Sequence, residues 1–200
     1  MPHTDEQLVA AYLERSDQQA FRMLVERHQE RIFGYLLGMV RDRHLANDLF
    51  QETFYRVIAA MQRQRGTYAR QGRWLAWVMR IARNATLDHL RSRKKWQDVD
   101  AGHDDDDRSY WDSLPDAGPD PEALLHRMDQ GAWLARAIER LPNEQREVLL
   151  LRQNTDLTFR EIADLTDVSI NTALGRMRYA LLNLRKMMVA EQRATGSHEV

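Results

Sequence analysis

Three observations predict an all-α protein built as two small helical domains joined by an acidic, flexible linker. Apolar residues recur at three- and four-residue spacing over most of the 200-residue chain. No segment sustains the two-residue alternation of a half-buried strand. The helical rhythm stops between Lys95 and Pro121, where aspartate and proline accumulate. The expected division is a first domain over 1–95, a linker over 96–121, a second domain over 122–190 and a disordered tail over 191–200.

Along the chain, Thr4-x-x-Gln7 reads as a capping box ahead of Leu8, Val9, Tyr12 and Leu13. Ala20, Phe21, Leu24, Val25, His28, Ile32, Tyr35, Leu36 and Met39 keep the period of a long amphipathic helix. A third helix is predicted from about Leu45 to Met61, with Leu49, Phe50, Phe54, Val57, Ile58 and Met61 inward. A loop from Gly66 to Gly72 precedes a fourth, from about Trp74 to Arg93, with Leu75, Val78, Ile81, Ala82, Leu87 and Leu90 apolar. The linker carries Pro115, Pro119, Pro121 and the run Asp104 to Asp107, and also Tyr110, Trp111 and Leu114, which are unusual in a pure spacer. Helices resume from about Glu122 to Leu141. Pro142 then opens a helix at a position where its missing N–H costs little, and Glu147 to Leu151 give that helix its apolar face. Thr158-Phe159-Arg160-Glu161 is a capping box for a short helix through Leu165, and Ser169 caps a last helix running past Leu184.

Composition narrows the function. An apolar fraction of 43% supports packed cores, and the absence of cysteine excludes disulfides and thiolate metal sites. The N-terminus lacks the basic start and apolar run of a secretory signal, and no stretch approaches the roughly 18 apolar residues of a membrane helix. A cytoplasmic location without membrane insertion is therefore expected. The net charge of −1 hides a segregation. Arg80, Arg83, Arg91, Arg93, Lys94 and Lys95 face only Asp88 between Arg80 and Lys95, and Ser169 to Ala190 holds Arg176, Arg178, Arg185 and Lys186 with no acid. The linker between these basic stretches is strongly acidic.

Three motifs carry chemistry. In Thr158 to Leu181, Ile162 and Ala163 pack a short helix, Val168 plugs a turn, and Ile170, Ala173 and Met177 face inward from a second helix. Ser169, Asn171, Thr172, Arg176, Arg178 and Tyr179 then point outward, which is helix-turn-helix spacing suited to a major groove; the competing reading is a helical hairpin with a solvated basic face. In the second motif, Trp74 and Trp77 accompany Arg80, Arg83 and Asn84, a set suited to unstacked bases and phosphates, against the reading that both tryptophans are core. In the third, Asp48 and Glu52 share a helical face within Asp48-Leu49-Phe50-Gln51-Glu52-Thr53-Phe54. No Glu-x-x-His or His-Glu-x-x-His accompanies them, so a solvated or protein-docking face is favoured over a metal or acid/base pair. Phosphate-binding glycine loops and nucleophile elbows are absent, no cofactor is called for, and no enzyme is expected.

In this order the motifs resemble those of bacterial RNA polymerase sigma factors of the extracytoplasmic-function (ECF) group, in the sigma-70 family. The resemblance covers about Ala20 to Arg93 and Glu122 to Lys186. It implies a promoter-melting region 2, a linker and a helix-turn-helix region 4. It also implies that Asp48, Leu49, Gln51, Glu52 and Phe54 dock on core RNA polymerase. Trp74, Trp77, Arg80, Arg83 and Asn84 would capture the single-stranded −10 element, with Asn84 reading a base and the arginines holding phosphates. Ser169, Asn171, Thr172, Arg176, Arg178 and Tyr179 would read the duplex −35 element. An anti-sigma partner is implied as well. Leu174 and Gly175 depart from the family's usual basic residue and serine, and Arg178-Tyr179 replaces its arginine-centred ending. The alternatives are a stand-alone helix-turn-helix regulator, which needs neither Trp77 nor Asp48, and a helical metalloenzyme using Asp48, Glu52 and histidines. For the acidic linker, a solvated spacer is favoured over a segment that folds back on the basic faces.

Overall fold

The computed structural model describes residues 3–63, 73–97 and 131–196. The expected linker, with Tyr110, Trp111, Leu114 and the aspartate run, lies outside them. Every regular element among the described residues is a helix: α1 (Asp5–Arg15), α2 (Gln18–Val40), α3 (Arg43–Arg63), α4 (Trp74–Gln97), α5 (Gly131–Glu139), α6 (Asn143–Asn154), α7 (Phe159–Thr166) and α8 (Ile170–Gly196). None is long and apolar enough to cross a membrane.

Local chemistry sets the boundaries. Thr4 and Gln7 form the reciprocal capping box that starts α1. Asp17 Oδ1 accepts from the amides of Gln19 (2.9 Å) and Ala20 (3.1 Å) to start α2, and Asp42 Oδ1 does the same for His44 and Leu45 before α3. Ser16 and Arg41 end α1 and α2 with left-handed φ of 54° and 61°. Pro142 occupies the N-cap of α6, as its missing donor allows. The segment 122–130, expected to be helical, is outside the described residues, and the helix there is Gly131–Glu139.

Helices α1 to α4 pack as one bundle around Leu24, Ile32, Tyr35, Leu36, Val57, Met61 and Val78. Helices α5 to α8 pack around Val148, Leu149, Leu151, Ile162 and Leu184. The two units meet where α2 lies against α6 and α4 against α7. Two glycines make the first contact close. A Cβ on Gly38 would sit 2.6 Å from Leu150 Cδ2, and one on Gly34 would sit 2.5 Å from Asn154 Oδ1.

Candidate nucleic-acid and polymerase interfaces

The α3 face is split by its own periodicity. Asp48, Gln51 and Glu52 are exposed, and Glu52 pairs with Arg56 at 2.5 Å. Leu49 and Phe54 are only 3% and 8% exposed, and Phe54 stacks 4.8 Å from Phe50 inside the bundle. These two therefore anchor α3 in the bundle and are not part of its exposed face. Tyr55, 77% exposed beside Glu52, is a surface aromatic that the motif reading missed.

On α4 the candidate residues also separate. Trp74 is 1% exposed, with its ring 5.3 Å from His28, so it belongs to the core and is removed from the base-capturing set. Trp77 is half-buried against the bundle. Arg80 and Asn84 are exposed. Arg83 is not free: its side chain is 13% exposed, and its Nε donates to Glu147 Oε1 on α6 at 2.9 Å. Tyr35 Oη donates to the same Glu147 oxygen at 3.3 Å. Burial, then the negative charge of Glu147, push the Tyr35 phenol well above its ordinary value and keep it a donor, against the opposing pull of Arg83. Neither Glu147 nor Tyr35 entered the sequence-based site. The available signal was a carboxylate within the apolar run Glu147-Val148-Leu149-Leu150-Leu151.

The helix-turn-helix forms on local instructions. Thr158 and Glu161 cap α7 reciprocally, and Asp167 turns the chain at φ 56°. The Val168 amide closes on Ala163 O at 3.1 Å. Ser169 Oγ accepts from the Thr172 amide at 3.0 Å and starts α8. Ala163, Ala173 and Met177 are buried as expected. Ile170, expected inward, is the first residue of α8 and is exposed at 38%, while Ala173 takes the packed position. Ser169, Asn171 and Thr172 are exposed, while Arg176, Arg178 and Tyr179 are half-buried along the same helix.

The described residues contain no cluster of His, Asp or Glu able to hold a metal. Two segments match known family models: Sigma-70 region 2 at residues 24–96 and Sigma-70 region 4 at residues 131–182. The RNA polymerase sigma factor CarQ of Myxococcus xanthus is 34% identical, over 86% of this chain and 90% of its own. This chain belongs to the sigma-70 family of RNA polymerase sigma factors, in the ECF group. The sigma-H factor of Pseudomonas aeruginosa is 30% identical over 86% of the sigma factor described here and 88% of its own length. A solved structure with the same fold is the sigma factor RpoE of Bartonella quintana in complex with the anti-sigma factor NepR. It has a TM-score of 0.61 and 19% identity, and covers 84% of this chain and 96% of that one. As a sigma factor, the protein acts in promoter-specific transcription initiation through regions 2 and 4.

Proposed function

We propose that the protein is a dissociable, non-catalytic specificity subunit acting in the cytoplasm, with region 2 over 1–95, a linker over 96–121 and region 4 over 122–190. The exposed Asp48, Gln51 and Glu52 of α3 dock on core polymerase, which performs all the chemistry. Asn84 reads a base of the −10 strand, and Arg80 and Arg83 hold its phosphates. The first turns of α8 read the −35 duplex, with Arg176 and Arg178 divided between base edge and backbone. An anti-sigma factor is the natural antagonist.

The observation that supports this reading most directly is the exposure of Asn84 on α4 together with that of Asn171 and Thr172 at the start of α8. Each matched segment thus carries exposed polar side chains available to nucleic acid. The test uses purified core RNA polymerase with and without the protein. Sequences retained by the holoenzyme are selected from a randomised DNA pool and then transcribed in run-off reactions. Transcripts that need the protein are expected; core activity that ignores it overturns the reading.

A further inference from the structure

The start of α8 is not uniformly polar. Leu174 is 44% exposed, and Ile170, one helical turn before it, is exposed as well. Ala173, Met177 and Leu181 fill the packed side of the same stretch. An exposed leucine is ordinary on its own; its neighbour gives it meaning. Gly175 lies inside α8, Ile170–Gly196, where glycine is a poorer helix former than alanine. Its backbone is helical, so no left-handed turn requires it. A Cβ at Gly175 would meet nothing within 4 Å, whereas one at Gly34 or Gly38 would press on Asn154 or Leu150. The fold therefore explains Gly34 and Gly38, and no contact among the described residues asks for glycine at 175.

The surroundings say what approaches. Asn171 and Thr172, exposed, stand four and three residues before Gly175 and so share its side of the helix. From Ser169 to Ala190 the chain holds Arg176, Arg178, Arg185 and Lys186 and no acid. A polyanion with polar edges fits such a face. Two aliphatic side chains among amides, hydroxyls and cations make a poor core for a protein contact. A duplex groove asks for less: its major-groove edge presents one apolar group, the 5-methyl of thymine.

We propose that Leu174 is a specificity-determining residue of α8: its side chain packs on the 5-methyl group of a thymine in the −35 element, and Gly175 lets the helix backbone close on the groove edge beside it. Leucine offers no donor to guanine O6 and N7, so a guanine at that position loses water from two acceptors and gains no partner. Cytosine presents no methyl to fill the contact. The element read by this protein therefore carries thymine opposite Leu174, while Asn171 and the arginines supply the polar discrimination around it. The inference rests on the assignment of α8 to the −35 duplex and deepens it.

The test uses holoenzyme assembled from the full chain and core polymerase, on −35 elements selected from a randomised DNA pool. Each thymine of a selected element is replaced in turn by deoxyuridine, which removes the methyl and keeps the base pairing. At one position the parent should lose about fourfold in affinity, the worth of one buried methyl. Leu174→Ala should show no such loss there, and Leu174→Met, which keeps an apolar side chain, should retain it. Gly175→Ala should raise the melting temperature of the free protein, since alanine is the better helix former. It should also weaken −35 binding by about tenfold, since a methyl is added to a filled contact. A selected element without thymine, no uridine-sensitive position, an equal uridine loss in parent and Leu174→Ala, or undiminished affinity in Gly175→Ala each overturns the inference. So does weaker binding of Leu174→Ala to core polymerase with no DNA present, which makes the leucine a protein contact. Failure of the unmodified holoenzyme to enrich any −35 sequence is a separate outcome, which sinks the functional reading instead.

Discussion

The two helices proposed to read DNA hold their polar side chains in different surroundings. At the start of α8, Asn171 and Thr172 stand in solvent, while on α4 Arg80 and Arg83 are bonded to oxygens of α7 and α6. Position within the helix accounts for the difference. In the first turn of α8 the buried Ala173 takes the packed side, and Asn171 and Thr172 keep the open one. Arg80 and Arg83 of α4 lie mid-helix on a flank broad enough to receive another domain. On α4 the cover is partial: Arg80 and Asn84 stay exposed, while Arg83 is held by Glu147.

That contrast is broken most severely at Arg83. Arg83→Ala leaves the buried Glu147 with Tyr35 alone for a side-chain partner among the described residues, and should cost about 3–5 kcal/mol, measured as a lowered denaturant midpoint. A variant with unchanged stability would mean the pair contributes nothing. On α3, Leu49→Ala should cost about 2–5 kcal/mol through a cavity. Asp48→Arg should leave the melting curve nearly unchanged and weaken binding to core polymerase; the opposite pattern would exchange the structural and docking roles. On α8, Asn171→Ala or Arg178→Ala should cost about 1–3 kcal/mol of holoenzyme affinity if the residue reads a base edge, and relax preference at one base pair. Asn84→Ala should instead leave initial binding and slow strand opening, as footprinting with a single-strand-specific reagent reports. Ser169→Ala should cost about 1 kcal/mol of thermal stability through lost capping, with little change in −35 preference, since the hydroxyl already serves the Thr172 amide.

The smallest effect is a pH dependence. His28 on α2 faces Asp5 of α1 at 2.7 Å, Arg27 and Arg31 of its own helix, and the Trp74 ring of α4. Burial pushes its imidazole down; Asp5 opposes this only in part, and the two arginines add to the lowering. The unfolded chain therefore takes up this proton first as acid is added. The contribution of His28 to stability is intact above about pH 6.5 and shrinks as pH falls from there toward its folded value. His28→Gln should flatten that part of the stability profile.

The sequence made the helix-turn-helix legible because its determinants are local. Thr158, Glu161, Asp167 and Ser169 lie within a dozen residues and each acts on a neighbouring amide. On α3, periodicity already placed Leu49 and Phe54 inward, and the motif string then counted them among the docking residues. A recurring motif records positions that matter without separating those that hold a surface from those that form it. Trp74 illustrates the same confusion, since an aromatic beside arginines fits a base-stacking platform and a core equally well. The contact between the regions was out of reach. Arg83 and Glu147 are 64 positions apart, and Tyr35 and Glu147 are 112 apart. No local pattern encodes such a pairing.

The seating of α6 on α2 joins two parts of one chain, so its equilibrium contains no concentration term. Dilution does not open it and overexpression does not close it. A second molecule shifts it only by preferring one form, in proportion to that molecule's own abundance.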